Sequence, residues 1–310
     1  MHRPRVRGAI ALLVALPWLA WAAIRLGGLE RGFLLVAAMA FTPYAAATAW
    51  IPVVVALVLR RRLVALAALV ACVALAVVVV PRAFGGSEEG LRVGRPLSVM
   101  SANIRRGEAD PSALVELARR HDVEVLSVQE LTPDAVPRLD AAGLRELFPH
   151  RILDARAGAR GSGLLSRHPL RDARPSPPPG PAMPEATVLV PGAMPVWAKA
   201  VHPVAPGTGG TWRWERDLNG MPDATPDGPL RMLVGDFNAT LDHEELRQVL
   251  DTGYLDGADA TGNGLRPTYK GIQIDRLLVD RRARVTALAF HDLPRSDHDA
   301  LTATVSLPAG

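Results

Sequence analysis

Polar side chains with a capacity for chemistry recur where the apolar runs of this chain stop. Asn103 follows the run 97–102, Glu130 follows 123–128, and His202 follows 196–201. Carboxylate, amide and imidazole groups are the ligands and proton carriers of metal-assisted hydrolysis, and oxygen-rich sets suit Mg²⁺ or Mn²⁺. The remaining candidates are Asp236 and Asn238 after 230–234, Asp275 within 272–279, and Asp297 and His298 before 300–307.

These runs predict the strands that would position the candidates. They are short, apolar and rich in Val, Leu and Ala, and a further short run at 161–168 is flanked by glycine. Asp110-Pro111 predicts the start of a helix, and the proline-rich segment 172–184 predicts a loop. The pattern from residue 97 onward is that of an α/β domain, whose loops at one end of a sheet would present the polar groups.

The first 80 residues have a different composition. Uncharged runs cover residues 8–24, 32–59 and 63–80, and 18 helical residues span roughly 27 Å, about the hydrocarbon core of a bilayer. Pro43 and Pro52 allow the longest run to tilt or kink. We therefore predict a three-helix membrane anchor over 1–81, a linker over 82–96 and a globular domain over 97–310. A cleaved signal peptide is the alternative for the first run.

Charge is divided unevenly between these parts. The chain has a net charge of +4, but residues 1–95 hold eleven arginines and three glutamates, net +8, and residues 96–310 have net −4. The basic character therefore belongs to the anchor and argues against general affinity for nucleic acid. The single cysteine, Cys72, excludes an intramolecular disulfide and a cysteine-cluster zinc site.

The arginines also bear on membrane orientation. With the N-terminus in the cytoplasm, Arg3, Arg5, Arg7 and 60–62 lie inside, and Arg25, Arg31, Arg82, Arg92 and Arg95 lie outside. The margin is small, and the 60–62 cluster between two spans is the better indicator. We expect a multi-pass protein of the cell membrane whose globular domain is extracytoplasmic.

The ordered motifs resemble those of the endonuclease/exonuclease/phosphatase superfamily, the DNase I-like fold. The resemblance covers about 97–307 and implies a four-layered α/β sandwich. With its three spans, the chain is most similar to teicoplanin-resistance-type membrane phosphatases. The motifs are Ser101-Ala102-Asn103-Ile104, Gln129-Glu130, Gly161-Ser162-Gly163-Leu164-Leu165-Ser166-Arg167, His202, Gly235-Asp236-Phe237-Asn238, Ile274-Asp275-Arg276 and Ser296-Asp297-His298.

The resemblance implies a role for each candidate. Glu130 would be the main metal carboxylate, with Asn103 and Asp297 completing a site for Mg²⁺, or alternatively Mn²⁺. Asp236 would orient or deprotonate the attacking water, and Asn238 would position it. The pair Asp275 and His298, together with His202, would stabilise charge developing at the phosphate.

One feature of the superfamily is missing. Many members place a tyrosine near the phosphate in the middle of the domain, but the only tyrosines here are Tyr44, Tyr254 and Tyr269. We expect that this contact is either missing or has moved to Arg160 or Arg167. His168 and His243 are expected at the surface.

Three functions remain open. The first is a membrane-anchored metal-dependent phosphoesterase acting at the outer face of the cytoplasmic membrane; the narrower resemblance implies a polyprenyl pyrophosphate as its substrate. The second is an extracytoplasmic nuclease, for which Arg105 and Arg106 could supply a local basic patch, although the chain has only two lysines, Lys199 and Lys270. The third is a non-catalytic envelope protein. Oligomeric state is not indicated.

Overall fold

The computed structural model of the protein describes residues 2–86, 94–177, 180–207 and 209–310. Its N-terminal part is helical. The helices are α1 (His2–Gly27), α2 (Gly32–Met39), α3 (Thr42–Thr48), α4 (Trp50–Val58) and α5 (Arg62–Val79), followed by a 3₁₀ turn at Val80–Ala83. Much of the predicted linker 82–96 lies outside the described residues.

Two of these helical segments are long and apolar enough to cross a membrane, namely Arg5–Gly27 and Arg62–Ala83. The second predicted span, 32–59, is bent by 63° between Gly32–Met39 and Thr42–Val58, so the described residues contain two such segments, or three if the bent pair is one span. The bend comes directly before Pro43, which lies in the first turn of α3 where a missing N–H is tolerated. Large apolar side chains such as Leu13, Leu34 and Leu63 remain exposed on these helices.

The rest of the protein is built on two mixed six-stranded sheets. The strands are β1 (Arg95–Asn103), β2 (Val125–Gln129), β3 (His150–Asp154), β4 (Ser162–Ser166), β5 (Leu170–Arg174), β6 (Glu185–Val188), β7 (Val196–Val201), β8 (Leu230–Asp236), β9 (Tyr254–Asp256), β10 (Asp275–Asp280), β11 (Arg284–His291) and β12 (Ala300–Leu307). The first sheet has the order β11-β12-β1-β2-β4-β3, and the second has the order β5-β6-β7-β8-β10-β9.

Helices cover the outer face of each sheet. They are α6 (Pro111–Arg120), α7 (Ala135–Ala141) and α8 (Leu144–Leu147) on the first sheet, α9 (Trp212–Asn219) and α10 (Glu244–Asp251) on the second, and the short α11 (Gly257–Ala260). Alternating side chains divide the core, since Val99 packs between the sheets and Met100 packs under α6. The result is the expected α/β sandwich of the DNase I-like fold, with helices outside two stacked sheets.

The strands predicted beside the candidate residues are all present, and two of them, 196–201 and 300–307, match in both bounds, whereas the strand predicted at 272–279 begins only at Asp275. The prediction that 172–184 is a loop was wrong at its start, because β5 runs to Arg174 and pairs with β6. Residues 178–179 of that segment lie outside the described residues. The edge strands β3 and β5 were not predicted, since their exposed sides make them more polar than central strands.

Candidate active site

Strand register brings the predicted residues to one end of the sandwich. β1 and β2 run parallel, with Asn103 opposite Gln129, so Glu130 follows beside Asn103. β7 and β8 also run parallel, with Val201 opposite Gly235, which places His202 beside Asp236. Parallel neighbours end at the same edge of a sheet, so sequence-distant polar groups meet there.

Asp236 lies at the centre of the cluster. Its Oδ1 accepts a hydrogen bond from Asn238 N at 2.8 Å, and its Oδ2 accepts one from Asn103 Nδ2 at 3.1 Å. The Nε2 atoms of His202 and His298 lie 3.7 and 3.9 Å from the same Oδ2. Asp236 is only 2% exposed, and it lines the cavity, so a molecule bound in the cavity can contact its carboxylate.

Glu130 and Asn238 both have backbones in the left-handed region, with φ of 58° and 48°. Such conformations cost of order 1–3 kcal/mol in a non-glycine residue and concentrate at functional sites. Glu130 Oε2 accepts a hydrogen bond from Arg106 N at 2.8 Å, while Oε1 lies 3.4 Å from Asn103 Nδ2. One carboxylate oxygen of Glu130 is thus hydrogen-bonded to the backbone, and the other lies near the amide of Asn103.

Two glycines beside the candidate residues lie where a side chain would collide with the backbone of a neighbouring strand or loop. A Cβ on Gly235 would lie 2.0 Å from the carbonyl oxygen of Val201, the residue before His202. A Cβ on Gly161 would lie 1.9 Å from the carbonyl oxygen of Leu131, the residue after Glu130. Both positions require glycine because backbone approaches backbone directly beside a candidate residue.

Asp275 and His298 form the predicted pair. His298 Nδ1 lies 2.9 Å from Asp275 Oδ2, and both side chains are buried. Burial lowers the pKa of His298, but the charge and hydrogen bond of Asp275, with the charge of Asp236, outweigh it and raise the pKa to about 9. Burial in turn raises the pKa of Asp275, which His298 partly offsets. The imidazole is therefore held as a cation whose Nε2 faces Asp236.

His202 has a contrasting environment. Burial lowers the pKa of its imidazole, and the charges of Asp236 and Glu130 offset this only in part. Its Nδ1 is buried and has no hydrogen-bond partner among the described residues. The pKa values of the two imidazoles are thus shifted in opposite directions, an arrangement typical of sites that divide proton donation and acceptance between two groups.

The donor set fits a divalent cation. Glu130 lines the cavity and offers a carboxylate oxygen, and Asp297 stands at the rim, with a side chain 34% exposed and 4.0 Å from Arg105 Nε. Asn103 turns its amide nitrogen toward the carboxylates, and its Oδ1 accepts a hydrogen bond from Arg105 N, so its amide would have to rotate to offer oxygen. Such oxygen donors suit Mg²⁺ or Mn²⁺.

A second group of ligand atoms lies deeper. One atom from each of Asp236, Asp275 and His298 lies within 4.8 Å of the others, which is also compatible with a metal ion. Asp275 and His298 already bind each other, whereas Glu130 Oε1 has one long contact among the described residues, with Asn103.

Tyr269 and Lys270 line the cavity and were not predicted. The tyrosine ring stacks on His298 with centroids 4.4 Å apart, and its hydroxyl accepts a hydrogen bond from Lys270 Nζ at 2.6 Å. Tyr269 therefore supplies an aromatic hydroxyl to the site from just before β10 rather than from the middle of the domain. The sequence feature that could have identified Tyr269 is its position six residues before Asp275, next to the turn at Lys270-Gly271.

The structure separates the two arginines proposed to replace the missing tyrosine. Arg160 lines the cavity. Arg167 follows β4 at the end where Ser166 pairs with Val125, away from the site, and binds Asp122 at 2.5 Å. The prediction for Arg167 was therefore wrong, because the strand carries it to the opposite end of the sheet.

Both histidines expected at the surface are engaged instead. His168 is half-buried and lies 2.9 Å from Glu124. His243 is buried: its Nδ1 accepts a hydrogen bond from Thr240 N at 2.9 Å, so its Nε2 carries the proton and donates to the carbonyl of Val36 at 2.8 Å. That prediction was wrong because the helix α2, distant in sequence, covers His243.

The N-terminal helices and the sandwich are joined beside the site. Asp242 is fully buried and binds Arg25 Nε at 2.7 Å and Arg82 at 2.8 Å, which ties the ends of α1 and α5 to one carboxylate. Tyr44 of α3 donates a hydrogen bond to Gly271 O at 2.8 Å, next to Tyr269. The N-terminal helices thus contact both the residues just before α10 and the turn that follows the stacked Tyr269.

A cavity of about 820 Å³ opens over the cluster. One side is polar and contains six of the predicted residues, and apolar residues of α2 and of the turn between α2 and α3 also line the cavity. The six are Glu130, His202, Asp236, Asn238, Asp297 and His298. Asn103 and Asp275 lie behind this surface and contact it through Asp236 and His298.

Comparison with known proteins agrees with this geometry. The model of the Endonuclease/Exonuclease/phosphatase family matches residues 100–298. None of the curated proteins compared with the chain is similar to it.

Solved structures share the fold at low sequence identity. Truncated TDP2 from Caenorhabditis elegans has a TM-score of 0.57 at 19% identity, covering 68% of this chain and 98% of that one. D. rerio TDP2 complexed with a single-strand DNA product has a TM-score of 0.55 at 16% identity, covering 68% and 98%. An endonuclease/exonuclease/phosphatase from Beutenbergia cavernae has a TM-score of 0.53 at 19% identity, covering 69% and 72%. With the family match over the sandwich, the chain belongs to the Endonuclease/Exonuclease/phosphatase family, which includes phosphoesterases and nucleases that generally use divalent metals.

Proposed function

We propose that this protein is a membrane-anchored, metal-dependent phosphoesterase that hydrolyses a polyprenyl pyrophosphate at the outer face of the cytoplasmic membrane. The observation that carries the proposal is the direct docking of the apolar helices beside the cluster around Asp236. Asp242 binds Arg25 and Arg82, and His243 binds the backbone of Val36. A site held this close to membrane-spanning segments favours a phosphate that is itself borne by the membrane.

The metal-binding residues in this proposal are Glu130, Asn103 and Asp297. Glu130 provides the main carboxylate, and the exposed Asp297 can approach from the rim of the cavity. When bound, Mg²⁺ or Mn²⁺ supplies charge neutralisation at the phosphoryl oxygens and the leaving group.

The protein's own groups account for the remaining requirements. Asp236 orients the attacking water and accepts its proton, and it is held in place by donors from Asn238 and Asn103. His298, fixed by Asp275, donates a hydrogen bond from Nε2 to a phosphoryl oxygen, and His202 contacts the same region from β7. Tyr269 holds the imidazole plane by stacking and presents Lys270 toward the cavity.

Geometry within the anchor supports the proposed orientation. A side chain at Gly8 would contact the guanidinium of Arg61 at 3.7 Å, so the start of α1 and the 60–62 cluster lie at the same end of the helices. Arg25 and Arg82 lie at the other end, where Asp242 neutralises part of their charge. The unpaired positive charge is thus weighted toward the N-terminal end, which the positive-inside rule places in the cytoplasm. Arg92 lies outside the described residues.

A nuclease is the second candidate. Arg105, Arg106, Arg160 and Lys270 all line the cavity and could contact a nucleic-acid backbone. The net charge of −4 over residues 96–310 and the docked anchor favour the lipid substrate, because binding along a polynucleotide requires an extended basic surface.

The test uses the full-length chain in lipid nanodiscs and measures phosphate release from undecaprenyl pyrophosphate with Mg²⁺. We expect release by the parent protein and its loss in Glu130→Ala and His298→Ala, whereas His168→Ala, the same substitution outside the site, should retain activity. Full activity in both site variants would remove the proposed catalytic centre. Nicking of plasmid DNA at low salt without lipid hydrolysis would favour the nuclease, and metal binding without turnover of any phosphoester would favour a non-catalytic protein.

A further inference from the structure

The apolar side of the cavity is formed by α2 and the turn that follows it. Phe33, Val36, Ala37, Ala40 and Phe41 line the cavity, and their spacing of three, four, seven and eight residues from the first is that of one side of a helix. The first three lie in α2, which ends at Met39, and the last two lie at the bend before α3. We call these five residues the helical stripe.

The sandwich fixes the helical stripe in place. Val36 is fully buried in a core cluster with Trp214, Leu218 and Phe237, and its carbonyl accepts the hydrogen bond from His243 at 2.8 Å. Tyr44, three residues beyond the stripe, binds the backbone of Gly271. The helical stripe is therefore packed against the sandwich, because contacts at Val36 and at Tyr44 fix its middle and the residues after its end.

Side-chain size along the stripe leaves room for a chain. The small residues Ala37 and Ala40 lie between the large rings of Phe33 and Phe41. On the outer side of the same helix, Leu34 is 80% exposed. One short segment thus contributes apolar residues to the catalytic cavity and carries a large exposed apolar side chain outside it.

We propose that the helical stripe is the binding subsite for the first segment of the single hydrocarbon chain attached to the phosphate being cleaved. The proposal rests on the proposed function for its substrate and adds the residues that select a lipid over a water-soluble ester. A groove one helix wide, closed by an aromatic ring at each end, fits one chain better than the two chains of a glycerophospholipid. Phe33 and Phe41 contact the chain, and Ala37 and Ala40 provide its space.

The first experiment compares two pyrophosphates that share a headgroup, undecaprenyl pyrophosphate and five-carbon isopentenyl pyrophosphate, on the full-length protein in nanodiscs. Phe41→Ala removes a contact and Ala37→Phe fills the groove. Each should lower kcat/KM for the long substrate by about tenfold or more and leave the short one within about twofold. The controls are Phe84→Ala and Leu34→Phe, which make comparable changes at exposed positions outside the cavity. Equal losses on both substrates, or no loss on either, would overturn the subsite.

The second experiment is independent of turnover. A polyprenyl monophosphate with a photoreactive group in its first isoprene units is crosslinked to the full-length protein, and the labelled residues are mapped. Labelling within 33–41 that undecaprenyl monophosphate abolishes and phosphatidic acid does not would support the subsite, even in a protein that fails to hydrolyse the pyrophosphate. Labelling elsewhere, or equal competition by the two-chain lipid, would contradict it whether or not hydrolysis occurs.

Discussion

The ring of Tyr269 lies against the imidazole of His298, with centroids 4.4 Å apart and planes at 26°. His298 is thereby held between an aromatic face and the carboxylate of Asp275 at 2.9 Å. The tyrosine hydroxyl also binds Lys270 Nζ, which brings a cation to the same cavity. An aromatic hydroxyl that is missing from the middle of the domain therefore reaches the site from a turn that α3 contacts through Tyr44.

This stacking predicts different effects for two substitutions. Tyr269→Ala should lower kcat for phosphate release by about ten- to a hundredfold, because the imidazole loses one of its two restraints. Tyr269→Phe keeps the ring and should cost only a few-fold, through Lys270. Steady-state kinetics on the full-length protein measures both. Equal effects of the two variants would show that the hydroxyl, and not the stacked ring, is what matters.

Removal of the carboxylate that holds His298 should change both rate and pH dependence. In Asp275→Asn, burial lowers the pKa of His298 without its main opposing charge, so the pKa should fall from about 9. The charged imidazole would then be lost at lower pH, and the alkaline limb of the kcat/KM profile should move in that direction. The rate at the optimum should fall by about 10²–10⁴. An alkaline limb at the same pH as in the parent protein would contradict the pairing.

The buried carboxylate of Asp242 should contribute far more to the free energy of unfolding than a surface ion pair does. Asp242→Ala leaves Arg25 and Arg82 unpaired and should cost about 3–5 kcal/mol of stability, detectable as a lower Tm and as faster proteolysis between the anchor and the sandwich. Glu116→Ala breaks the exposed pair with Arg120 and should cost about 0.3–0.5 kcal/mol. Similar losses in both variants would show that the buried cluster does not hold the two parts together.

The ion pairs of Asp242 with Arg25 and Arg82 should weaken only when the pH falls below the ordinary titration range of an aspartate. Burial raises the pKa of Asp242, but the hydrogen bonds and charges of Arg82 and Arg25 outweigh it and hold the pKa below the ordinary value of 3.8. The stabilisation is therefore fully present above pH ~4 and is lost as pH falls through the lowered pKa. Thermal melts of the parent and Asp242→Ala should converge below that range, and a constant difference down to the lowest pH would contradict this assignment.

Gly235 should tolerate no side chain. Its Cβ would lie 2.0 Å from Val201 O, so Gly235→Ala must separate β7 from β8 beside His202 and Asp236. We expect a lower Tm, by an amount equivalent to about 1–3 kcal/mol, and a loss of activity. Gly86→Ala, where a Cβ meets open space, is the matched control. Parent-like melting and activity of Gly235→Ala would show that the backbone can yield here.

Orientation can be tested with reporters fused after Gly310. We expect an alkaline phosphatase fusion to be active and a cytoplasmic fluorescent reporter to be dark, because the sandwich lies at the end of the helices opposite Arg61. The reverse result would place the site in the cytoplasm and remove the outer-face part of the proposed function.

The strand ends and apolar runs of this protein are local features, so the sequence alone determines the sandwich, the apolar N-terminal helices and the positions of Asn103, Glu130 and Asp236. An apolar run predicts a strand, and the polar residue after it predicts a place at the sheet edge, without knowledge of neighbours. The parallel pairing of β1 with β2 and of β7 with β8, which brings these strand ends together, is not part of the local pattern and was not predicted.

Other features depend on contacts between residues far apart in the chain, and only the tertiary structure decides them. Asp242 binds Arg25, 217 positions away, and His243 is buried by Val36 across 207 positions. Nothing in the local pattern marks these partners, because the free energy of pairing a buried charge depends on which helix covers it. The position of Tyr269 over His298, and the placement of α2 as a wall of the catalytic cavity, are decided in the same way.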